Sequence, residues 1–390
     1  MRIILFDTVL RNNLFPLTLT KAVADLRPGI LTIKERWQKI SVAEVFVLTD
    51  FYLQILYPAI ELGEYLFIDA TIIPTTDLIP TILHLKTGEC ISDSNGLIAF
   101  KTSIQKLPSI NDIALIAPAK NVEVDNVRRI SSTTDLFLLN DEMLRFDFTI
   151  VTKGRVTCNV NETVQRKEPS QIFIEEGAIV DFSILNASTG PIYIGKNATV
   201  MEGCTIRGPF SLGEGATLKM GTRVYGATTL GPYCTGGGEI KNSVMMGYSN
   251  KGHDGYLGDS VVGEWCNFGA GTSTSNVKNT GGEVNLWNYK EQQFLPIGNK
   301  CGVVMGDYSR TAINTSINTG TVIGLCCNLF YKGLTPKFIP DFSWGENAGS
   351  YEFKKALKDI GNWKKMKNKT LTDSETQILK HIFDLDKKIA

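Results

Sequence analysis

Aliphatic residues recur every six positions through the middle of the chain, at Ile194, Val200, Ile206, Leu212, Leu218, Val224 and Leu230. Neither the 3.6-residue turn of a helix nor the two-residue alternation of a strand produces that spacing. Four residues after each aliphatic come Ala198, Cys204, Phe210, Ala216, Thr222, Thr228 and Cys234, all small or medium except Phe210. A longer period overlies the shorter one: IGKNAT, LGEGAT and LGPYCT begin at 194, 212 and 230, so three hexads make a coil of eighteen residues. The pattern predicts a left-handed parallel β-helix of triangular section. Each hexad supplies a short strand, its aliphatic points inward, and glycine serves turns that need positive φ. Stacked coils bury a core that no single coil could close. Further hexads stand at 262 (VGEWCN), 297 (IGNKCG) and 323 (IGLCCN).

The flanking segments follow other rules. Residues 1–150 alternate strand-like runs (RIILF, EVFVLT, YLFIDATIIPT) with helical ones (LTIKERWQKI, TTDLFLLNDEMLRF). This predicts an α/β domain of Rossmann-like type with a largely parallel sheet. Residues 151–172, with the polar run NVNETVQRKEPSQ, read as a connector, and 173–335 as the β-helix. Residues 336–390 read as a helical tail, whose second helix starts at DSETQ with Asp373 or Ser374 as cap and Glu375 in the first turn. The hexads break off at 235–260 and again at 275–296. Loops that leave a solenoid are where function commonly sits.

Length and charge narrow the class. A chain of 390 residues predicts two or three domains, and its 43% hydrophobic content is that of a globular protein. Forty basic residues balance forty acidic ones, which gives no electrostatic reason to expect nucleic acid or an anionic membrane as partner. No run approaches the roughly 18 apolar residues of a spanning helix, and the N-terminus lacks a signal-peptide pattern. A cytoplasmic protein is expected. The eight cysteines are scattered, and the adjacent Cys326-Cys327 pair lacks metal-ligand spacing, so buried free thiols are expected.

Of the three histidines, His84 and His381 read as structural. His253 differs, because it stands in KGHDGYLGD among glycines, polar residues and a tyrosine, where core packing explains it poorly. Near neutral pH an imidazole accepts a proton from an amine that attacks a thioester.

The ordered motifs EIKN, KGHDGYLGD, GEWCNFGAGT and SNVKN closely resemble the acetyltransferase half of a bifunctional family. This is the glucosamine-1-phosphate acetyltransferase / N-acetylglucosamine-1-phosphate uridyltransferase family (GlmU-like), in a branch with an altered N-terminal domain. The resemblance covers about 190–330. It implies His253 as general base, Tyr256 as a substrate-orienting group, and Lys241 with Arg223 as ligands of the sugar phosphate. Asn267 and Asn276 match two asparagines of the acceptor pocket, while Val277 replaces the tyrosine that follows the second. It also implies acetyl-CoA, an amino-sugar phosphate and a homotrimer whose pockets are shared between chains. Arg223 precedes Lys241 by eighteen residues, one coil of the linear spacing. Independently of the family, paired cations clamp a phosphate through charge-assisted hydrogen bonds.

Sugar-nucleotidyltransferase domains of this type open with a strand and a glycine-rich loop. Here Arg11, Asn12 and Asn13 occupy the loop's place. Arg11 and Lys21 are candidates for contacting a nucleoside triphosphate, and Asp69 of FIDAT for binding Mg²⁺. The preferred reading is a degenerate binding or scaffolding domain. The main alternative is a sugar-1-phosphate nucleotidyltransferase that uses the β-helix only to trimerise. A non-catalytic regulator that binds a sugar nucleotide is the third.

Overall fold

A computed structural model describes residues 1–125, 127–346 and 349–389. The first strand, β1 (Arg2–Phe6), is apolar from Ile3 to Phe6, where it is buried on both sides. Ile3 and Leu5 face one core and Ile4 and Phe6 another, as a central strand covered on both faces requires. It lies within a six-stranded sheet made with β2 (Glu44–Leu48), β3 (Gly63–Asp69), β4 (Glu89–Asp93), β5 (Gly96–Ile104) and β6 (Lys120–Glu123). The order is β2-β1-β3-β5-β4-β6. The expected largely parallel sheet is in fact mixed: β1 pairs parallel with β2 and β3, but β5 runs antiparallel to β3 and β4. The reason is local. Only Ser94 and Asn95 separate β4 from β5, and a two-residue connection can join only antiparallel neighbours.

Helix α1 (Ile33–Ser41) starts at a capping box, with Thr32 and Glu35 each bonding the other's backbone N–H. Helices α2 (Leu78–Leu83), α3 (Ile113–Ile116), α4 (Asp135–Leu138) and α5 (Asn140–Thr152) complete the domain. Arg36 of α1 and Asp147 of α5 form a fully buried pair at 2.7 Å. Asp147 also accepts the backbone N–H groups of Ile30 and Leu31, so its remaining lone pairs are satisfied.

The hexads build the β-helix as expected. Val200 registers with Leu218, Ile206 with Val224 and Leu212 with Leu230, each eighteen residues on. All seven aliphatics and all seven residues four positions later are at most 2% exposed. The glycines divide into two kinds. Positive φ falls one residue before the small position, at Asn197, Gly203, Gly215, Gly221 and Tyr233. The glycine of each aliphatic-Gly pair answers a different need, close approach between coils. A Cβ on Gly213 would sit 2.6 Å from the backbone of Gly231 in the next coil.

The expected break at 235–260 is not a loop. Strands at 239–241, 244–245, 250–251, 256–258 and 261–262 carry all three sheets onward. Val224 registers with Ile240, sixteen residues on, and Leu230 with Met245, fifteen on. The corners are trimmed by two or three residues, which erases the hexad while the inward positions stay in register. The second break is a true excursion: Val262 registers with Met305, and the intervening chain forms a hairpin of 285–288 with 293–296. Ile297 of the IGNKCG hexad pairs with Val284 inside this excursion and is not a coil residue. The β-helix also outruns its expected bounds. Residues 165–167 of the presumed connector pair with 184–186, and strands at 338–339 and 343–344 lie beyond 335.

One face and one corner of the prism are covered within the chain. Val244, Val261, Val304 and Val322 project from one face into a core shared with Ile3, Leu5, Trp37 and Ile68 of the N-terminal domain. A corner ladder containing Trp265, Tyr308 and Phe342 receives helices α6 (Phe353–Lys365) and α7 (Asp373–Ile389) through Ile360, Ile378 and Ile382. The cap of α7 is Thr372, paired with Glu375, rather than Asp373 or Ser374. The face made by strands 165–167, 184–186, 205–207, 223–225, 239–241 and 256–258 presents exposed residues such as Ile184, Arg223 and Tyr225. Among the described residues no helix is long and apolar enough to cross a membrane.

Candidate functional site

On the open face Val224, Ile240 and Leu257 point inward, so their neighbours point out. Arg223, Glu239 and Tyr256 form one outward column, and Tyr225, Lys241 and Gly258 the next. Arg223 therefore stands beside Glu239, not Lys241, because this coil has sixteen residues instead of eighteen. Its Nε lies 3.8 Å from Glu239 Oε2, and the Tyr225 hydroxyl donates to Glu239 Oε1 at 2.6 Å. Arg223 and Lys241 still share the face on adjacent strands.

Asn276, where the chain leaves the coil, donates to the Tyr256 hydroxyl at 3.2 Å and to Asp259. Asp259 also accepts from Asn242 at 2.7 Å, which fastens the chain between coil and excursion. Burial and then the Asp259 charge push the Tyr256 phenol above its usual range, so it stays a neutral donor. Asp259 is not among the residues expected from the sequence, although it is the last residue of the YLGD motif. A groove of about 810 Å³ runs along this face, lined by Arg207, Arg223, Tyr225 and Glu239 and by Asp141 of α5.

His253 is exposed at the corner where the open face begins, in the turn between strands 250–251 and 256–258. Neither its imidazole nor the Lys241 amine has a hydrogen-bond partner among the described residues, which leaves both free for a ligand. The turn rests on Gly237 and Gly238 of the coil before it: a Cβ on Gly237 would lie 2.5 Å from Gly252 C and 2.9 Å from His253 N. Asn267 is not brought into this group. It lies on the neighbouring face, in register with Asn250 and Arg310.

A second cavity, about 1010 Å³, opens at the C-terminal ends of β1, β2 and β3, lined by Phe6, Leu48 and Asp69. That is where open α/β sheets receive ligands. The segment in place of a glycine-rich loop is a 3-10 helix, Val9–Leu14. Arg11 lines the cavity, yet it donates to the Thr18 carbonyl at 2.7 Å and to the Tyr52 hydroxyl at 2.6 Å and pairs with Asp7 and Asp50. Lys21 is elsewhere altogether. It is buried between domains, 2.9 Å from Asp307 and 3.4 Å from Glu264, and does not line this cavity.

Asp69 is buried, accepts from Thr71 N and Oγ1, and is pushed up to about 6 by burial. The carboxylate beside it, Asp93, is gripped by both terminal nitrogens of Arg129 at 2.7 and 2.9 Å. Burial would raise the Asp93 carboxyl, but those bonds hold it at about 2. The Arg129 Nε also lies 3.9 Å from Asp69. A guanidinium thus stands where a divalent cation would, and no group of three metal-ligating side chains exists among the described residues. These residues do not fit Mg²⁺.

His381 stacks on Tyr52 at 4.5 Å, joining the C-terminal helices to the N-terminal domain, while His84 is exposed at the end of α2. All eight cysteines are free, and seven are buried. Burial pushes the Cys266 thiol up, against any role as nucleophile.

A model of the sugar nucleotidyl transferase family matches residues 3–156. The bifunctional protein GlmU of Methanocaldococcus jannaschii is 37% identical over 89 residues, 23% of this chain and 21% of that protein. A bifunctional sugar-1-phosphate nucleotidylyltransferase/acetyltransferase of Sulfurisphaera tokodaii is 35% identical over 108 residues, 28% of this chain and 26% of that protein. The matches span about a quarter of those relatives' own length. A solved structure of an Arabidopsis UDP-N-acetylglucosamine acyltransferase aligns with 58% of this chain and 90% of its own at 13% identity and a TM-score of 0.31. The fold joins an α/β domain that matches the sugar nucleotidyl transferase family to a parallel β-helix. Over the matched stretches the chain is similar to GlmU-like bifunctional proteins.

Proposed function

We propose that the β-helix is an acetyl-CoA-dependent N-acetyltransferase acting on an amino-sugar phosphate such as glucosamine-1-phosphate. The observation that carries this reading is the exposed His253 imidazole on its glycine floor, beside a face that presents Arg223, Lys241 and Tyr256. The open groove on that face includes Arg223 in its lining. Acetyl-CoA supplies the acyl group as a thioester. The Lys241 amine and Arg223 hold the acceptor phosphate, and Tyr256, oriented by Asn276, hydrogen-bonds the sugar. His253 accepts a proton as the acceptor nitrogen bonds to the acyl carbon. The carbon–sulfur bond then breaks, and the proton leaves on the CoA thiolate. A general base of this kind contributes about 10²–10⁴-fold.

The open face offers surface for a second and third copy in a cytoplasmic homotrimer. The test is release of CoA thiol from acetyl-CoA with glucosamine-1-phosphate, for wild type and His253→Ala. Turnover in the wild type that is lost in the variant is expected; no turnover in either sinks the glucosamine-1-phosphate assignment.

A second reading, nucleotidyl transfer, is favoured by the cavity at the strand ends of the matched domain. Against it, Arg11 and Arg129 are both committed to carboxylates. Pyrophosphate release from a nucleoside triphosphate and a panel of sugar phosphates, insensitive to His253→Ala, would establish it. Ligand-induced stabilisation without turnover in either assay would point to a regulator.

A further inference from the structure

We propose that Lys251 is a positioning residue for His253, its ammonium group anchored inside the β-helix to hold the 252–255 turn in place. The proposal rests on the acetyl-transfer reading of His253.

Lys251 stands in the inward column of its face, which runs through Leu218, Gly236, Lys251, Phe268, Thr311 and Leu329. It is 2% exposed. An aliphatic side chain belongs there by the logic of the fold, and a buried ammonium is costly unless its donors are satisfied. Its hydrogen bonds go to two carbonyls in successive coils: His253 O at 2.6 Å and Gly237 O at 3.5 Å. The lysine therefore laces the His253 turn to the glycine floor beneath it. Burial pushes the amine down to about 8, against the opposing charge of Asp254.

The floor explains why the hold matters. A Cβ on Gly238 would lie 2.7 Å from Gly255 O and 2.9 Å from His253 O, so turn and floor are in backbone contact. The imidazole is exposed and free of partners, and only the backbone at 252–255 sets where it points. A displacement of about 1 Å at a reacting group costs on the order of 10²-fold in rate.

Lys251→Met keeps the length of the stem and removes the donors. The expected result is a melting temperature at or above wild type and a kcat for CoA release lower by about tenfold or more. KM for both substrates should stay within about threefold of wild type. Amide hydrogen exchange at 252–255 should speed up by about tenfold or more. Wild-type kcat with unchanged exchange overturns the proposal. So does a lowered melting temperature with unchanged kcat, which marks the lysine as purely structural. Lys251→Leu, read the same way, serves if the Met variant does not fold. Should the wild type release no CoA, the acetyl-transfer reading falls, and the exchange comparison alone decides whether Lys251 holds the turn.

Discussion

The Lys21 amine lies 2.9 Å from Oδ2 of Asp307, and that contact joins the N-terminal domain to the β-helix. Thr20 donates to the same carboxylate oxygen at 2.5 Å, and Glu264 closes the cluster from the adjoining coil. Burial raises the Glu264 carboxyl, and Lys21 opposes that rise. Removing one partner of such a cluster strands the others. Lys21→Met is therefore expected to cost about 3–5 kcal/mol, read from urea unfolding. Affinity of the N-terminal cavity for a nucleotide, measured by titration calorimetry, is expected to be unchanged. A specific loss of nucleotide affinity with full stability would restore the phosphate-binding role.

Arg223 and Lys241 reach the open face from adjacent strands, and the Lys241 amine has no hydrogen-bond partner among the described residues. Hydrogen bonds to a charged ligand group are worth about 1.5–3 kcal/mol each. Arg223→Ala and Lys241→Ala should each raise KM for the sugar phosphate by about tenfold or more, with KM for acetyl-CoA unaffected. Steady-state kinetics with each substrate varied in turn would separate the two. Unchanged KM for the sugar phosphate would move the phosphate site elsewhere.

Gly237 has no room for a side chain, since a Cβ would sit 2.5 Å from Gly252 C, which is backbone. Gly237→Ala should lift the 252–255 turn and lower stability by about 1–3 kcal/mol. The same change should reduce kcat well beyond the loss of folded protein, when rates are normalised by circular dichroism. A rate that tracks the folded fraction alone would separate the floor from the chemistry.

The pH dependence of Lys251→Met has a definite sign. Lys251 is held at about 8 in the fold against an ordinary value of 10.5. Between those values the unfolded chain binds more protons than the folded one, so wild-type stability rises with pH through this window. The penalty is fully present below pH 8 and is relieved as pH approaches 10.5. The stability advantage of the variant should be greatest near neutrality and shrink above pH 8. Calorimetry of both proteins across that range would show it; a constant difference would mean the amine is not titrating as a buried group.

How legible these features are in the sequence depends on how local each one is. The hexads between 194 and 230 reveal themselves because each coil there repeats the same three corners. The coils at 235–260 look like a loop, because Gly236 and Lys251 occupy aliphatic positions and shortened corners shift the period. Lys251 is hidden for the same reason: a lysine beside glycines reads as surface until the register turns it inward. The offset of Arg223 from Lys241 likewise needs the actual length of one coil. His253, by contrast, stands out from composition alone.

The sequence by itself determined the repeat, the α/β character of the first 150 residues, and the chemical types gathered around His253, since periodicity and motif are properties of neighbouring residues. Only the tertiary structure decided that Lys21 serves an interdomain cluster, that Arg129 lies between Asp69 and Asp93, and that Asn267 sits on the neighbouring face. Those outcomes depend on contacts between residues far apart in the chain. Burial and pairing of a charge are set by what packs against it, and no local pattern encodes that partner.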